Sequence, residues 1–275
     1  MTIKWQFEGR KAMEKLYCLI RVAFQTKFAY IKAFWFNIFG TAVSILIYYF
    51  LWKYVFMSRE ELNGFTAVQM TTYVVLSRTL SSQFSGGINK EFAEWVYKGN
   101  IVVEILRPVH LAFNLFGKRL GEFFFFLLFK GIPIGILGTL LLGGVGPAGV
   151  VEFLLFFVSV LVSVGILFWI EVAVGIVSFF TLNTYGLAFT KSALLSILSG
   201  GVVPLFLFPE SVARVLDYLP FAGMVTVPVY TYLGKYSIQE SVSFIGLQGV
   251  WCVLLGALVM VFYQKAIKKV VVQGG

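Results

Sequence analysis

The sequence predicts an all-α membrane protein with six transmembrane helices. An N-terminal interfacial amphipathic helix precedes them, and a re-entrant or interfacial segment lies before the last span. Three observations lead there. Six charge-poor apolar runs occur at Phe34–Trp52, Thr66–Phe84, Leu120–Leu142, Phe153–Phe180, Leu187–Phe208 and Val242–Tyr263. A hydrocarbon core about 30 Å thick needs about 20 apolar helical residues, and only helices and closed barrels satisfy their backbone in lipid. The chain of 275 residues is 59% hydrophobic and 13% charged, with 30 Phe, whereas a soluble domain carries about 25% charge. Lys and Arg are distributed unevenly between alternate loops.

That unevenness sets the orientation. Lys4, Arg10, Lys11, Lys15, Arg21, Lys27 and Lys32 precede the first run. Lys90, Lys98, Arg107, Lys118 and Arg119 fall between the second and third, and Lys265, Lys268 and Lys269 follow the sixth. The alternate loops hold Lys53, Arg59, Arg214 and Lys235, diluted by five acidic residues. Lys and Arg collect on the cytoplasmic side, so both termini are expected there and Gly143–Gly149 outside. The net charge of +9 then reads as orientation and anionic-lipid contact, not nucleic-acid binding. No signal peptide is expected, since about 30 amphipathic residues precede any long apolar run. Cys18 and Cys252 are too far apart in this topology to suggest a disulfide framework. One domain, 1–275, accounts for the whole chain.

Within Glu8–Lys32, Met13, Leu16, Ile20, Phe24, Phe28 and Ile31 recur at helical spacing among charges. That pattern fits a helix lying in the membrane interface over residues 1–32. The second run is the most polar. Arg78 lies inside it with Ser77, Ser81 and Ser82, which suits a helix facing protein or water instead of lipid. The long apolar stretch after Glu152 is divided at Thr181–Gly186, whose residues favour a turn. Gly117/Gly121 and Gly131/Gly135 have the spacing that permits close helix contact.

Two segments stand out between the spans. In the basic stretch 88–119, Gly99-Asn100 precedes Ile101-Val102-Val103-Glu104-Ile105-Leu106-Arg107-Pro108. Asn100 suits an N-cap and Pro108 ends the element. A short apolar helix on a water-facing loop suggests a partner groove, in preference to the alternative that it folds back onto the membrane surface. The tract Gly200–Gly234 carries Gly200, Gly201, Pro204, Pro209, Pro220, Phe221 and Pro228. It is too apolar for an outside loop and too broken for a span, and such backbone needs protein or a water-lined cavity around it. That places 208–241 against a translocation route or its outer gate.

In the order and spacing of these motifs, with six spans and both ends inside, the chain resembles ABC-2-type transporter permeases. These are the membrane subunits of ATP-binding-cassette exporters, and the resemblance is nearest to bacterial ones. It implies a dimer of permeases, with itself or a sister chain, forming the translocation path in a prokaryotic plasma membrane. It also implies docking through Gly99, Asn100, Ile101, Glu104, Ile105, Leu106, Arg107 and Pro108 onto separate ATPase subunits that use ATP-Mg. No phosphate-binding G-x-x-x-x-G-K-[ST] loop occurs in this sequence, so the chain is expected to be a transport subunit and not an enzyme, with no cofactor of its own. Substrate identity stays open.

The intramembrane charges are Arg78, Lys130 and Glu171. Counted from cytoplasmic ends at Leu120 and Phe180, Lys130 and Glu171 each lie ~15 Å deep at helical rise. Matched depths on consecutive antiparallel helices predict a Lys130–Glu171 pair, with Glu122 pairing to Lys118 or Arg119. If those charges carried ions instead, the chain would be an ion-driven secondary carrier. A lipid-processing enzyme would need clustered His, Asp, Glu or Cys. A lone His110 and two distant cysteines offer no such cluster and no metal site.

Overall fold

The structure is a computed structural model that describes residues 9–85, 87–98, 100, 111–177 and 184–267. In chain order its first helices are α1 (Gly9–Ala29), α2 (Ile31–Val55), α3 (Ala67–Ser81), α4 (Ile88–Tyr97) and α5 (Leu111–Phe126). They are followed by α6 (Ile132–Leu141), α7 (Val150–Val177), α8 (Thr184–Leu198), α9 (Glu210–Tyr218), α10 (Thr226–Tyr232) and α11 (Ile238–Ile267). A two-stranded hairpin, β1 (Glu61–Leu62) and β2 (Phe65–Thr66), joins α2 to α3.

Among the described residues, four stretches are long and apolar enough to cross a bilayer: Ile31–Ser58, Leu111–Leu141, Val150–Val177 and Ile238–Ala266. The second and fifth apolar runs instead form α3 and α8, of 15 residues each. That is ~22 Å of helix, short of the ~30 Å core. Both are extended by non-helical chain. Ten α3 residues are buried, from Met70 to Ser81, which answers its polar sequence: this helix faces protein.

Local chemistry accounts for the ends. Asn63 and Gly64 both have positive φ, 47° and 78°, the pairing that a two-residue I′ hairpin requires. Thr66 then caps α3 through a reciprocal box, with Gln69 N donating to Thr66 Oγ1 (3.3 Å) and Thr66 N to Gln69 Oε1 (3.2 Å). Ser237 and Glu240 form the same device at the start of α11. α5 passes into α6 through a π-helical turn, Leu127–Gly131. Pro133 follows at the start of α6. Its missing N–H and its ring disturb the preceding turn, and a widened turn is one way to absorb that.

The helices approach most closely where glycines lack a Cβ. A Cβ on Gly117 would meet Leu19 Cβ at 2.8 Å, and one on Gly121 would meet Ala23 Cβ at 2.7 Å. The Gly117/Gly121 motif therefore seats α1 directly on α5. Phe24 and Phe28 extend that contact to Phe125, ring centroids 5.6 and 5.2 Å apart. Of the stretch 1–32 expected to hold an interfacial helix, Gly9–Ala29 is a helix packed on α5, with Met13 and Tyr17 on its exposed side.

Two ends of the bundle can be distinguished. A basic end gathers Lys27, Lys118 and the α3–α4 corner. At the opposite end, the Gly143 turn is pinned to α3, with Val145 N donating to Thr72 Oγ1 at 2.7 Å, and to α10, with Ala148 N donating to Tyr232 O at 2.9 Å. There too Lys235 Nζ donates to Gly64 O and to Gln69 Oε1. Burial pulls its ammonium below the usual lysine value, with the Glu61 carboxylate opposing the shift.

Gly143 and Gly200 both sit at positive φ, 72° and 82°, where an L side chain costs about 1–2 kcal/mol. A Cβ on Gly143 meets nothing within 4 Å, whereas on Gly200 it would collide with Thr226 Oγ1 and approach Tyr73 OH at 2.9 Å. Gly200→Ala should therefore lower the melting temperature of the detergent-solubilised protein clearly more than Gly143→Ala does. Equal losses would mean that the contacts around Gly200 do not constrain the fold.

Candidate functional site

The basic end is organised around one carboxylate. Glu171, from the interior of α7, is fully buried. Its Oε1 lies 3.4 Å from Lys191 Nζ on α8, and its Oε2 lies 3.9 Å from Arg119 Nε on α5. Ile88 N, the first residue of α4, donates to Oε2 at 3.5 Å. Gly87 (φ +113°) lies against the carboxylate so closely that a Cβ would overlap it. Lys191 and Arg119 are themselves 6% and 3% exposed. Lys191 also donates to Asn89 Oδ1 (2.8 Å), and Arg119 Nη2 to Gln83 Oε1 (3.4 Å). Glu171 therefore fastens α5, α7, α8 and the α3–α4 corner together. Outside it, Glu122 pairs with Lys27 of α1 (2.7 Å) and with Arg119 (3.7 Å). Lys118 pairs with Glu91 (2.5 Å) and stands over the Trp95 ring at 4.9 Å.

The expected Lys130–Glu171 pair does not form. Lys130 Nζ donates to Asn37 Oδ1 on α2, while Glu171 holds Arg119 and Lys191. Placing the span boundary at Leu120 caused the error. Lys118 and Arg119 read as interface charges, but α5 begins at Leu111 and Arg119 is buried. Glu171 thus lies at the level of Arg119, and Lys130 is a further ~16 Å along the helix. Of the two partners expected for Glu122, Arg119 is one, and Lys118 turns to Glu91.

A second polar knot closes the broken end of α8. Tyr73 OH donates to Gly200 O (2.6 Å), Arg78 Nη1 to Gly201 O (3.0 Å), and Thr226 Oγ1 to Ser199 O (2.8 Å). Arg78 Nε also donates to Ser44 Oγ on α2 (2.9 Å), and its guanidinium lies 4.7 Å from the Tyr48 ring centroid. A helix C-terminus carries unsatisfied carbonyls and partial negative charge, and a cation with a tyrosine and a threonine answers both. Gly200, Gly201, Pro204, Pro220 and Pro228 are buried around this knot, Phe221 is half-buried, and Pro209 is exposed at the start of α9. α10 is buried against α7, and Gln248 of α11 donates to Gly223 O beside Ser159. Protein covers the two ends of the broken tract, whereas Leu207, Val212, Val215 and Tyr218 between them are exposed.

Of the loop residues expected to dock a partner, Asn100 is an exposed turn residue. Gly99, Ile101, Glu104, Ile105, Leu106, Arg107 and Pro108 lie outside the described residues, as do His110 and the start of the Thr181–Gly186 turn. The flanks are described: α4 enters from the Glu171 cluster and α5 leaves into it. The residues that sequence reading passed over are Arg119, Lys191, Asn89, Tyr73 and Thr226. Lys191 was the readable one, since a lysine within an apolar run invites a search for its counter-ion.

Removing one member of a buried pair costs about 3–5 kcal/mol, and here one carboxylate balances two cations. Glu171→Gln should destabilise the protein strongly in thermal unfolding. The double variant Glu171→Gln/Lys191→Met should lose less than the sum of its singles. Swapping Lys130 and Glu171 should rescue nothing. Strict additivity of the first pair, or rescue by the swap, would contradict the assigned partners.

The family described as ABC-2 family transporter protein matches residues 42–274, which takes in both polar knots and the loop between them. No curated protein matches the chain. Apolar spanning helices and this match over most of the sequence together define a multi-pass membrane permease of an ABC transporter: the chain belongs to the ABC-2 transporter family.

Proposed function

We propose that this permease is the transmembrane half of an ATP-driven exporter, working as a dimer with itself or a sister chain. Separate ATPase subunits would bind ATP-Mg and dock on the Gly99–Pro108 loop. The chain would sit in a prokaryotic plasma membrane with both termini cytoplasmic, α3 and α8 completing a set of six crossings. The observation that carries this reading is the Glu171 cluster. It clamps Gly87 and Ile88, where the chain leaves α3 for the docking loop, and Arg119, where the chain returns. A displacement of the loop by closing ATPases would then reach α5, α7 and α8 together.

At the other end of α8, the Gly200–Pro228 tract would act as the outer gate. Its carbonyls are held by Tyr73, Arg78 and Thr226, side chains that can release and re-form bonds without unfolding a helix. Export requires that the ATPase bind two arrangements of the permease with different affinity. The alternative of an ion-driven carrier drew on Lys130 and Glu171 as its charges, and each is engaged in a helix contact, Lys130 with Asn37 and Glu171 with Lys191.

Replacing Ile105 and Leu106 together with Asp should abolish co-purification with the ATPase while leaving the permease in the membrane. Unchanged co-purification and unchanged transport-coupled ATP hydrolysis would remove the loop from this role. Single cysteines test the orientation. One at 268 should be protected from an impermeant reagent in intact cells, and one at 146 should be labelled. The reverse pattern would invert the topology.

A further inference from the structure

Two open cavities lie along the same flank of the bundle. One, of about 700 Å³, follows α8 from Ala188 past Ser192 and Ser196, with Ser85 and Lys90 at the basic end. The other, of about 810 Å³, lies between the far half of α2 and the chain after α8. Its walls are apolar, including Leu51, Trp52, Val55, Val203 and Leu207, and Ser58 and Arg59 stand at its mouth. Val202 lines both cavities, so they adjoin at that residue, one toward the basic end and the other toward the opposite end. Each volume is within the ~300–1,000 Å³ of small-molecule sites.

The charges at the two ends are available. Lys90 and Arg59 are exposed, and among the described residues neither is held by an ion pair or hydrogen bond of its side chain. Beside Lys90, Glu91 is paired with Lys118; beside Arg59, the charge of Glu61 acts on Lys235, and the exposed Glu60 is the neighbouring carboxylate. At the basic end, Lys90 lies near enough to the buried Lys191 for their charges to interact, and Glu171 is already shared between Lys191 and Arg119. A cation at each end of an apolar groove, one at each membrane face, suits a molecule with one acidic head and a hydrocarbon body.

We propose that this groove is the path of the exporter's cargo, and that the cargo is an acidic, phospholipid-like amphiphile. This rests on the exporter reading. The head engages Lys90 at the basic face, the apolar body lies along α8, and Arg59 receives the head at the other face. Ser196 Oγ donates back to Ser192 O (2.7 Å), and Ser192 Oγ is shared between Phe84 O (2.7 Å) and Ala188 O (2.9 Å). Their oxygens therefore add only weak polarity along the route. Val202 is the residue that both halves share.

The test uses the purified permease–ATPase complex and fluorescent NBD-phosphatidylglycerol, with NBD-phosphatidylcholine as the uncharged control. Wild type should bind the acidic probe about tenfold more tightly. Lys90→Gln and Arg59→Gln should each weaken that binding about fivefold, and Val202→Trp should abolish it while the ATPase still co-purifies. In proteoliposomes, ATP should move the acidic probe between leaflets, read by dithionite quenching, and the same variants should slow it. Equal binding of both probes, variants that bind like wild type, or binding without ATP-driven movement would each overturn the path. So would a disulfide between two Val202→Cys copies (with Cys18 and Cys252 replaced by Ser) that excludes the probe, because the groove would then be a surface between copies. Failure of the exporter reading is separable: it shows as loss of ATPase co-purification in the wild type, whatever the probes do.

Discussion

The buried carboxylate of Glu171 is the constraint on which the rest of this bundle depends. An ion taken from water into a low-dielectric interior carries a penalty of several kcal/mol after relaxation, and it persists only where opposite charges and donors surround it. Glu171 meets that condition with Lys191, Arg119 and the backbone of Ile88. Each partner comes from a different element. The position of Gly87 follows, because the carboxylate occupies the space a Cβ would need. So does the burial of Arg119, which in turn holds Glu122 and through it Lys27 of α1. One charge thereby ties five segments at the basic end.

The opposite end solves the inverse problem. There the chain must stop a helix inside the protein, and the difficulty is exposed carbonyls. The α8 helix alone is shorter than the membrane core, and the carbonyls just past its end are held by Tyr73, Arg78 and Thr226. Arg78 explains why α3 can carry a guanidinium in an apolar setting: it replaces the next turn of α8 as the donor. α3 therefore touches both knots, with Arg78 and Tyr73 at one and the following Gln83–Ile88 corner at the other. A short buried helix linking two polar clusters can shift as a unit, whereas a long lipid-facing helix would have to drag its whole apolar surface.

Much of this was readable from the sequence, and the failures have a common cause. Apolar runs and the polar second run located the helices and the interior position of α3. The Pro/Gly tract announced a segment broken into short helices. Asn63-Gly64 was a plain hairpin signal that a search for spans overlooked. The charge partners went wrong because depth along a helix was counted from an assumed boundary at Leu120. A stretch such as Gly117-Lys118-Arg119-Leu120 looks interfacial by composition, yet α1 covers it through Gly117 and Gly121. Composition carries the cost of burying Arg119 but not the location of Glu171, which another helix supplies.

α2 sets the terms for what else the bundle must meet. Only Thr41, Ile45 and Trp52 of its 25 residues are buried, and it is held to the rest by few polar contacts, chiefly Arg78 to Ser44 and Lys130 to Asn37. Trp35, Phe36, Phe39, Ile47 and Phe50 are 60–79% exposed. Apolar surface left in water costs about 25 cal/mol per Å², so a face this wide requires lipid or another subunit. Lipid alone would satisfy the hydrophobic term. It would not explain why Asn37 and Ser44 stand on the same helix, each engaged by a cation that the bundle has placed inside the membrane. Those contacts fix the rotation of α2, and with it the wall it gives to the cavity ending at Arg59. The two intramembrane cations thus act as orienting pins for the one long helix that packing leaves loose.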